Sequence, residues 1–154
     1  MSAPGLHHVG LSVSDLERSI AFYRDLLGLP VRELDEMSGS EVEAVTGVAG
    51  SRVLIADLEV GAGQTLELLQ YLSPAGTAVH PRPVDPGHTH VGIQVEDLAG
   101  VFRRLVEEGV SIRSAPTTLT DAGPYWTGAT VANVLDPDGI TVELVQMPKS
   151  SVTN

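Results

Sequence analysis

Two histidines and two glutamates recur at matched places in a duplicated sequence. Residues 8–16 read HVGLSVSDL and residues 90–98 read HVGIQVEDL, with six of nine positions identical. Residues 65–70 read TLELLQ and residues 141–146 read TVELVQ, with four of six identical. His8 and His90 open the two halves, and Glu67 and Glu143 stand on the matching closing segments. Two imidazoles and two carboxylates form a donor set for one divalent cation, and Zn, Ni, Co, Mn and Fe(II) all accept it. On an octahedral ion, four protein ligands leave two positions for water or substrate oxygens, which suits catalysis. A lone His before Val-Gly also reads as a structural histidine, and Glu67 also reads as an exposed strand residue. The same His twice, in phase with the same Glu twice, favours ligation.

The remaining polar candidates carry weaker signals. His7 adjoins His8 and is expected on the opposite face or at a strand edge, while His80 and His88 fall in a linker and read as surface residues. Tyr125 and Trp126 are expected to open a strand and to pack in the core or against the wall of the site. Arg82 and Arg113 read as solvated, with an anionic ligand tail as the alternative.

The elements that must position the His and Glu side chains follow from periodicity. Val9, Leu11 and Val13 alternate with His8, Gly10 and Ser12, and Val91, Ile93 and Val95 alternate with His90, Gly92 and Gln94. That period of two marks half-buried strands with the His on the small, polar face. A helix follows each strand. Ser14 and Glu17 form a capping box ahead of Leu16, Ile20, Tyr23 and Leu27, and Gly28 stops the helix; Leu98, Phe102 and Leu105 mark the second helix, which Gly109 ends. Strands are expected at about 29–36, 52–59 and 64–72, then at about 111–119, 126–135 and 140–147, with a short helix at about 40–46. Asp136-Pro137-Asp138-Gly139 should turn the last two strands into a hairpin. Its acidic residues lack the full spacing of a calcium-binding hand.

Each half therefore reads β-α-β-β-β, and the fold class is α+β. The expected layout is a first module at 5–73, a Pro-rich linker at 74–87 and a second module at 88–148, forming one compact domain. Two such sheets side by side would enclose a cleft lined by their polar faces, and pseudo-two-fold symmetry would gather His8, Glu67, His90 and Glu143 at its centre.

The bulk composition narrows the function classes. The chain has 154 residues, a formal net charge of −11 and no cysteine. Thiolate chemistry and disulfides are excluded, which fits a cytoplasmic protein. An acidic surface argues against nucleic acid, whose phosphates need basic partners. No apolar run reaches the roughly 18 residues of a membrane span, and the start MSAPGLHH has neither the charge nor the apolar stretch of a signal peptide. Lys149 is the sole lysine, so a Schiff-base mechanism is disfavoured.

The repeated modules, the stretch HVGLSVSDLERSIAFYRDLLGL with its S-I-A-F-Y helix motif, and LDPDGITVELVQ resemble the vicinal oxygen chelate superfamily across about residues 5–148. That superfamily includes glyoxalase I, methylmalonyl-CoA epimerase, extradiol dioxygenases, fosfomycin-modifying enzymes and bleomycin-binding resistance proteins. In its glyoxalase-like members the metal ligands come from the first and last strands of each module, which match His8, Glu67, His90 and Glu143. LELLQYLSPAG followed by HTHVGIQVEDL looks more like the epimerase than a dioxygenase, although the epimerase pattern often has Gln at the position of Glu67.

The resemblance implies a metal-dependent lyase or isomerase, of epimerase or glyoxalase type. It would take a proton next to a carbonyl through a metal-stabilised enediolate or enolate, with Glu143 as base and Glu67 as second choice. It further implies one divalent metal ion, a small-molecule substrate and a homodimer. The alternatives are an Fe(II) extradiol-type dioxygenase using His8, His90 and Glu143, and a metal-free drug- or metabolite-binding resistance protein. The extra Glu67 counts against the first, because it fills a position that oxygen or a catechol needs. The full ligand set counts against the second.

Overall fold

The computed structural model describes residues 5–61 and 63–149. They form two compact units that divide between Val79 and His80. The first contains β1 (His8–Ser12), α1 (Leu16–Ile20), β2 (Val31–Ser38), α2 (Ser40–Thr46), β3 (Arg52–Val60) and β4 (Gln64–Ser73). The second contains β5 (His90–Gln94), α3 (Leu98–Glu107), β6 (Ile112–Thr118), α4 (Gly123–Trp126), β7 (Thr130–Leu135) and β8 (Thr141–Gln146). Each unit holds one four-stranded mixed sheet, with orders β1-β4-β3-β2 and β5-β8-β7-β6. The α+β reading and the β-α-β-β-β order hold; the short helix expected at about 40–46 is α2, and α4 is an addition in the second unit.

In the first unit β1 runs parallel to β4, and the other pairs are antiparallel. Leu11, Ala56, Leu58, Leu66 and Leu68 are buried on the face that carries α1. Gly10, Asp57 and Glu67 take the opposite face, in one register row. Side chains alternate along a strand, so a one-residue slip of β4 would expose Leu66 and Leu68 and push Glu67 into the core. Fully burying one leucine is worth about 1.5–3 kcal/mol, so the apolar face fixes the direction of the glutamate. The second unit repeats the pattern: Ala132, Val134, Val142 and Leu144 are fully buried, and Glu143 lies between the last two on the other face.

The helices depart from expectation in detail. Asp15, rather than Ser14, caps α1: its carboxylate accepts from the Arg18 N–H at 3.0 Å, and the Ser14 hydroxyl accepts from the Arg18 guanidinium instead. Asp97 caps α3 in the same way through the Gly100 N–H. Asp reaches a free N–H of the first turn as a charged acceptor, which the positive end of the helix favours. Beyond Ile20 the first helix widens into a π-helical stretch, Ala21–Leu26, where the Leu27 N–H donates to the Phe22 carbonyl. Phe22 and Tyr23 are both buried there, edge to face at 5.0 Å. Gly28 and Gly109 follow the two helices with φ of 78° and 74°, the left-handed geometry that a β-carbon disfavours.

Tyr125 and Trp126 do not open a strand. They sit in the one-turn helix α4, with Tyr125 70% exposed. The Gly123-Pro124 pair starts a turn there, and the strand begins four residues later at Thr130. The 136–139 hairpin turn forms as expected. Buried Asp136 accepts from the N–H groups of Asp138 and Ile140 at 2.9 and 2.8 Å, so its carboxylate closes the turn. Among the described residues no helix is long and apolar enough to cross a membrane.

Candidate active site

Parallel pairing at the sheet edge sets the candidate residues. His8 is in register with Thr65 and Gly10 with Glu67; His90 is in register with Thr141 and Gly92 with Glu143. Each Glu therefore faces a glycine and lies diagonal to the His two residues earlier. In the second unit His90 Nε2 stands 3.9 Å from Glu143 Oε2, with the imidazole 55% and the carboxylate 25% exposed. The glycines lie directly opposite the carboxylates. A β-carbon on Gly92 would stand 3.8 Å from Glu143 Oε2, and one on Gly10 would stand 3.6 Å from Glu67 Oε2 and 3.2 Å from Leu69 Cδ1.

His8 differs from His90 in its partner. The His7 and His8 rings meet edge on, Nδ1 to Nδ1 at 2.9 Å, so His7 turns towards His8 rather than to the opposite face. With Nδ1 engaged, Nε2 is the ring nitrogen that His8 could offer to an ion, since metal-bound histidines use their second nitrogen to fix the ring. His88 is not a plain surface residue: its Nε2 lies 3.1 Å from the Thr141 hydroxyl of β8.

The structure brings His90 and Glu143 together as a pair and sets His8 and Glu67 at the same registers. Among the described residues no three His, Asp or Glu side chains gather closely enough to hold a metal ion. An imidazole and a carboxylate in each unit are donor types that a divalent cation accepts.

Sequence reasoning missed the rest of the row. Asp57 is in register with Glu67, and Asn133 with Glu143. Arg32 donates to Asp57 Oδ2 at 3.1 Å, and Asp57 Oδ1 is buried without a partner. In the other unit Ser114 Oγ accepts from the Asn133 backbone N–H at 3.0 Å and from its Nδ2 at 3.2 Å. The signal was present: Ala-Asp-Leu and Ala-Asn-Val each stand ten residues before a Glu of the repeat. The conserved-in-repeat glutamine was equally legible. Gln70 accepts from the Leu16 N–H at 2.8 Å and Gln146 from the Leu98 N–H at 2.8 Å, each hooking a Glu-bearing strand to the first turn of its helix.

Comparison with known proteins places this geometry. The chain is 29% identical over 153 residues to a 2-epi-5-epi-valiolone epimerase of Actinomyces sp., covering 95% of this chain and 81% of that protein. It is 27% identical over 142 residues to the lactoylglutathione lyase of Salmonella typhimurium, covering 92% and 91%. A glyoxalase family protein from Bacillus cereus shares the fold at a TM-score of 0.81 and 21% identity, over 95% of each chain. The Leishmania major glyoxalase I aligns at a TM-score of 0.63 and 25% identity, covering 94% of this chain and 87% of that one. The family model described as Glyoxalase/Bleomycin resistance protein/Dioxygenase superfamily matches residues 5–144, and the chain belongs to that superfamily.

Proposed function

We propose that this chain is a metal-dependent enzyme that removes a proton next to a carbonyl, as an isomerase, epimerase or lyase acting on a small molecule. His8, Glu67, His90 and Glu143 would hold the divalent cation. When bound, such an ion polarises a substrate oxygen and makes the neighbouring C–H more acidic. The reading rests on one observation: a glycine-backed glutamate diagonal to a histidine, built in both units, with His90 and Glu143 3.9 Å apart. The lyase and epimerase names of two relatives support the reaction class.

Glu143 is the proposed base. Once displaced from the ion, its partly exposed carboxylate would take the proton from carbon, and the C–H electron pair would move towards the carbonyl oxygen. Delivery of a proton to the same carbon from the other side by a second acid gives epimerisation; return by Glu143 to the neighbouring atom gives isomerisation. No oxidant or second substrate is needed. Glu67 is the second candidate. The absence of cysteine fits a cytoplasmic setting, and a homodimer is part of the same proposal.

Elemental analysis of purified protein tests the ion. Solvent deuterium exchange into carbonyl substrates tests the base. Glu143→Gln should keep the fold and slow exchange by about 10²–10⁴-fold, the usual worth of a general base. Undiminished exchange in that variant would remove Glu143 from the mechanism.

A further inference from the structure

We infer that the row Glu143–Asn133–Ser114 is a subsite for substrate hydroxyl groups, and that the substrate is an uncharged, polyhydroxylated carbonyl compound of sugar-like character. The inference rests on the proton-abstraction reading above and adds what it does not supply, the chemical class of the molecule.

The three residues occupy adjacent strands in one register row and on one face. Glu143 pairs with Asn133 and Asn133 with Ser114, while Ala132 and Val134 point the other way and are fully buried. Strands lie about 4.8 Å apart, so the row spans roughly 10 Å. A register shift between Ile112 and Ser114 gives the Asn133 backbone N–H to the Ser114 hydroxyl. Ser114 Oγ also accepts from Asn133 Nδ2, which fills both of its lone pairs. Its own proton is then left for an outside acceptor. The same contact fixes the Asn133 amide and leaves Oδ1 to accept from an outside donor. Next to the candidate base the row thus presents an acceptor and then a donor, both uncharged, which suits successive hydroxyl groups.

Arg113 stands next to Ser114 in the sequence, so its substitution tests the anionic alternative.

The test measures solvent deuterium incorporation and KM for three probes: an uncharged ketohexose, the glutathione hemithioacetal of methylglyoxal, and an acyl thioester of coenzyme A. Support is exchange into the ketohexose, with Ser114→Ala raising its KM about tenfold at nearly unchanged kcat and Ser114→Thr restoring it. Ser114→Ala also strips a backbone N–H of its acceptor, so a second measurement keeps the structural effect apart. On the wild-type protein, deoxy analogues of the ketohexose are compared with the parent, and one deoxygenated position should raise KM about tenfold. Exchange confined to the anionic conjugates, with a KM that Arg113→Gln raises, overturns the inference while leaving the proton-abstraction reading intact. Equal KM for every deoxy analogue also overturns it. No exchange into any probe by metal-loaded protein removes the reading and the inference together.

Discussion

At the scale of single residues, the glycines opposite Glu67 and Glu143 bear on the proposed site as much as the histidines and glutamates do. A β-branched side chain at Gly92 would intrude where Glu143 Oε2 stands 3.8 Å from a β-carbon position. Gly92→Val should leave a folded protein, since the strand tolerates valine, yet weaken divalent-metal binding at least tenfold in calorimetric titration; unaltered binding would show that the carboxylate is not the ligand. His7 offers a second residue-scale test. Its contact with His8 Nδ1 at 2.9 Å fixes the ring, and partners of this kind are worth about 10–100-fold in metal affinity. His7→Ala should therefore lower affinity with little change in melting temperature. The candidate residues stood out in the sequence because the repeat prints each type twice. Asn133 and Asp57 were not, because the two copies carry different side chains and only strand pairing shows that they share a row with the glutamates.

Among the elements, the helix starts depend on the strands that carry the glutamates. Gln70 and Gln146 satisfy the N–H of Leu16 and of Leu98, groups with no partner inside their own helices. Leaving such a partly buried donor without an acceptor costs about 1–3 kcal/mol. For a chain of this length each kcal/mol moves the melting point by about 2–4 °C. Gln146→Ala should thus melt a few degrees or more below the parent, while Gln146→Glu, which keeps an acceptor oxygen, should lose less; differential scanning calorimetry separates them. Sequence periodicity found the strands to within a few residues because alternation of Val, Leu and Ile with small polar residues is strong. It failed where backbone hydrogen bonding overrode side-chain spacing. The π-helical stretch Ala21–Leu26 brings Phe22 and Tyr23 inside together, which a period of 3.6 does not anticipate. Asp15 displaced Ser14 as cap because two residues with equal capping chemistry stand side by side.

For the whole molecule, the decisive quantity is the number of ions that one chain binds. Each unit offers one imidazole and one carboxylate, and neither unit alone completes a four-ligand sphere from these residues. If His8, Glu67, His90 and Glu143 act as one set, chelator-stripped protein should take up one divalent ion per chain. Uptake of two, one for each His–Glu pair, would break the four-ligand proposal. A ligand that binds only the folded state at a hundred times its Kd stabilises by about 2.7 kcal/mol. At about 2–4 °C per kcal/mol for this size, the melting point should rise by about 5–11 °C on metal addition. His90→Ala should abolish most of that rise while leaving the stripped protein's own melting point nearly unchanged, since His90 is mostly exposed. The net charge of −11 draws cations to the whole surface, so the titration belongs in about 0.15 M salt, where charges beyond about 8 Å are screened. A rise that persists there and disappears in His90→Ala comes from ligation; one that survives the substitution comes from the acidic surface alone.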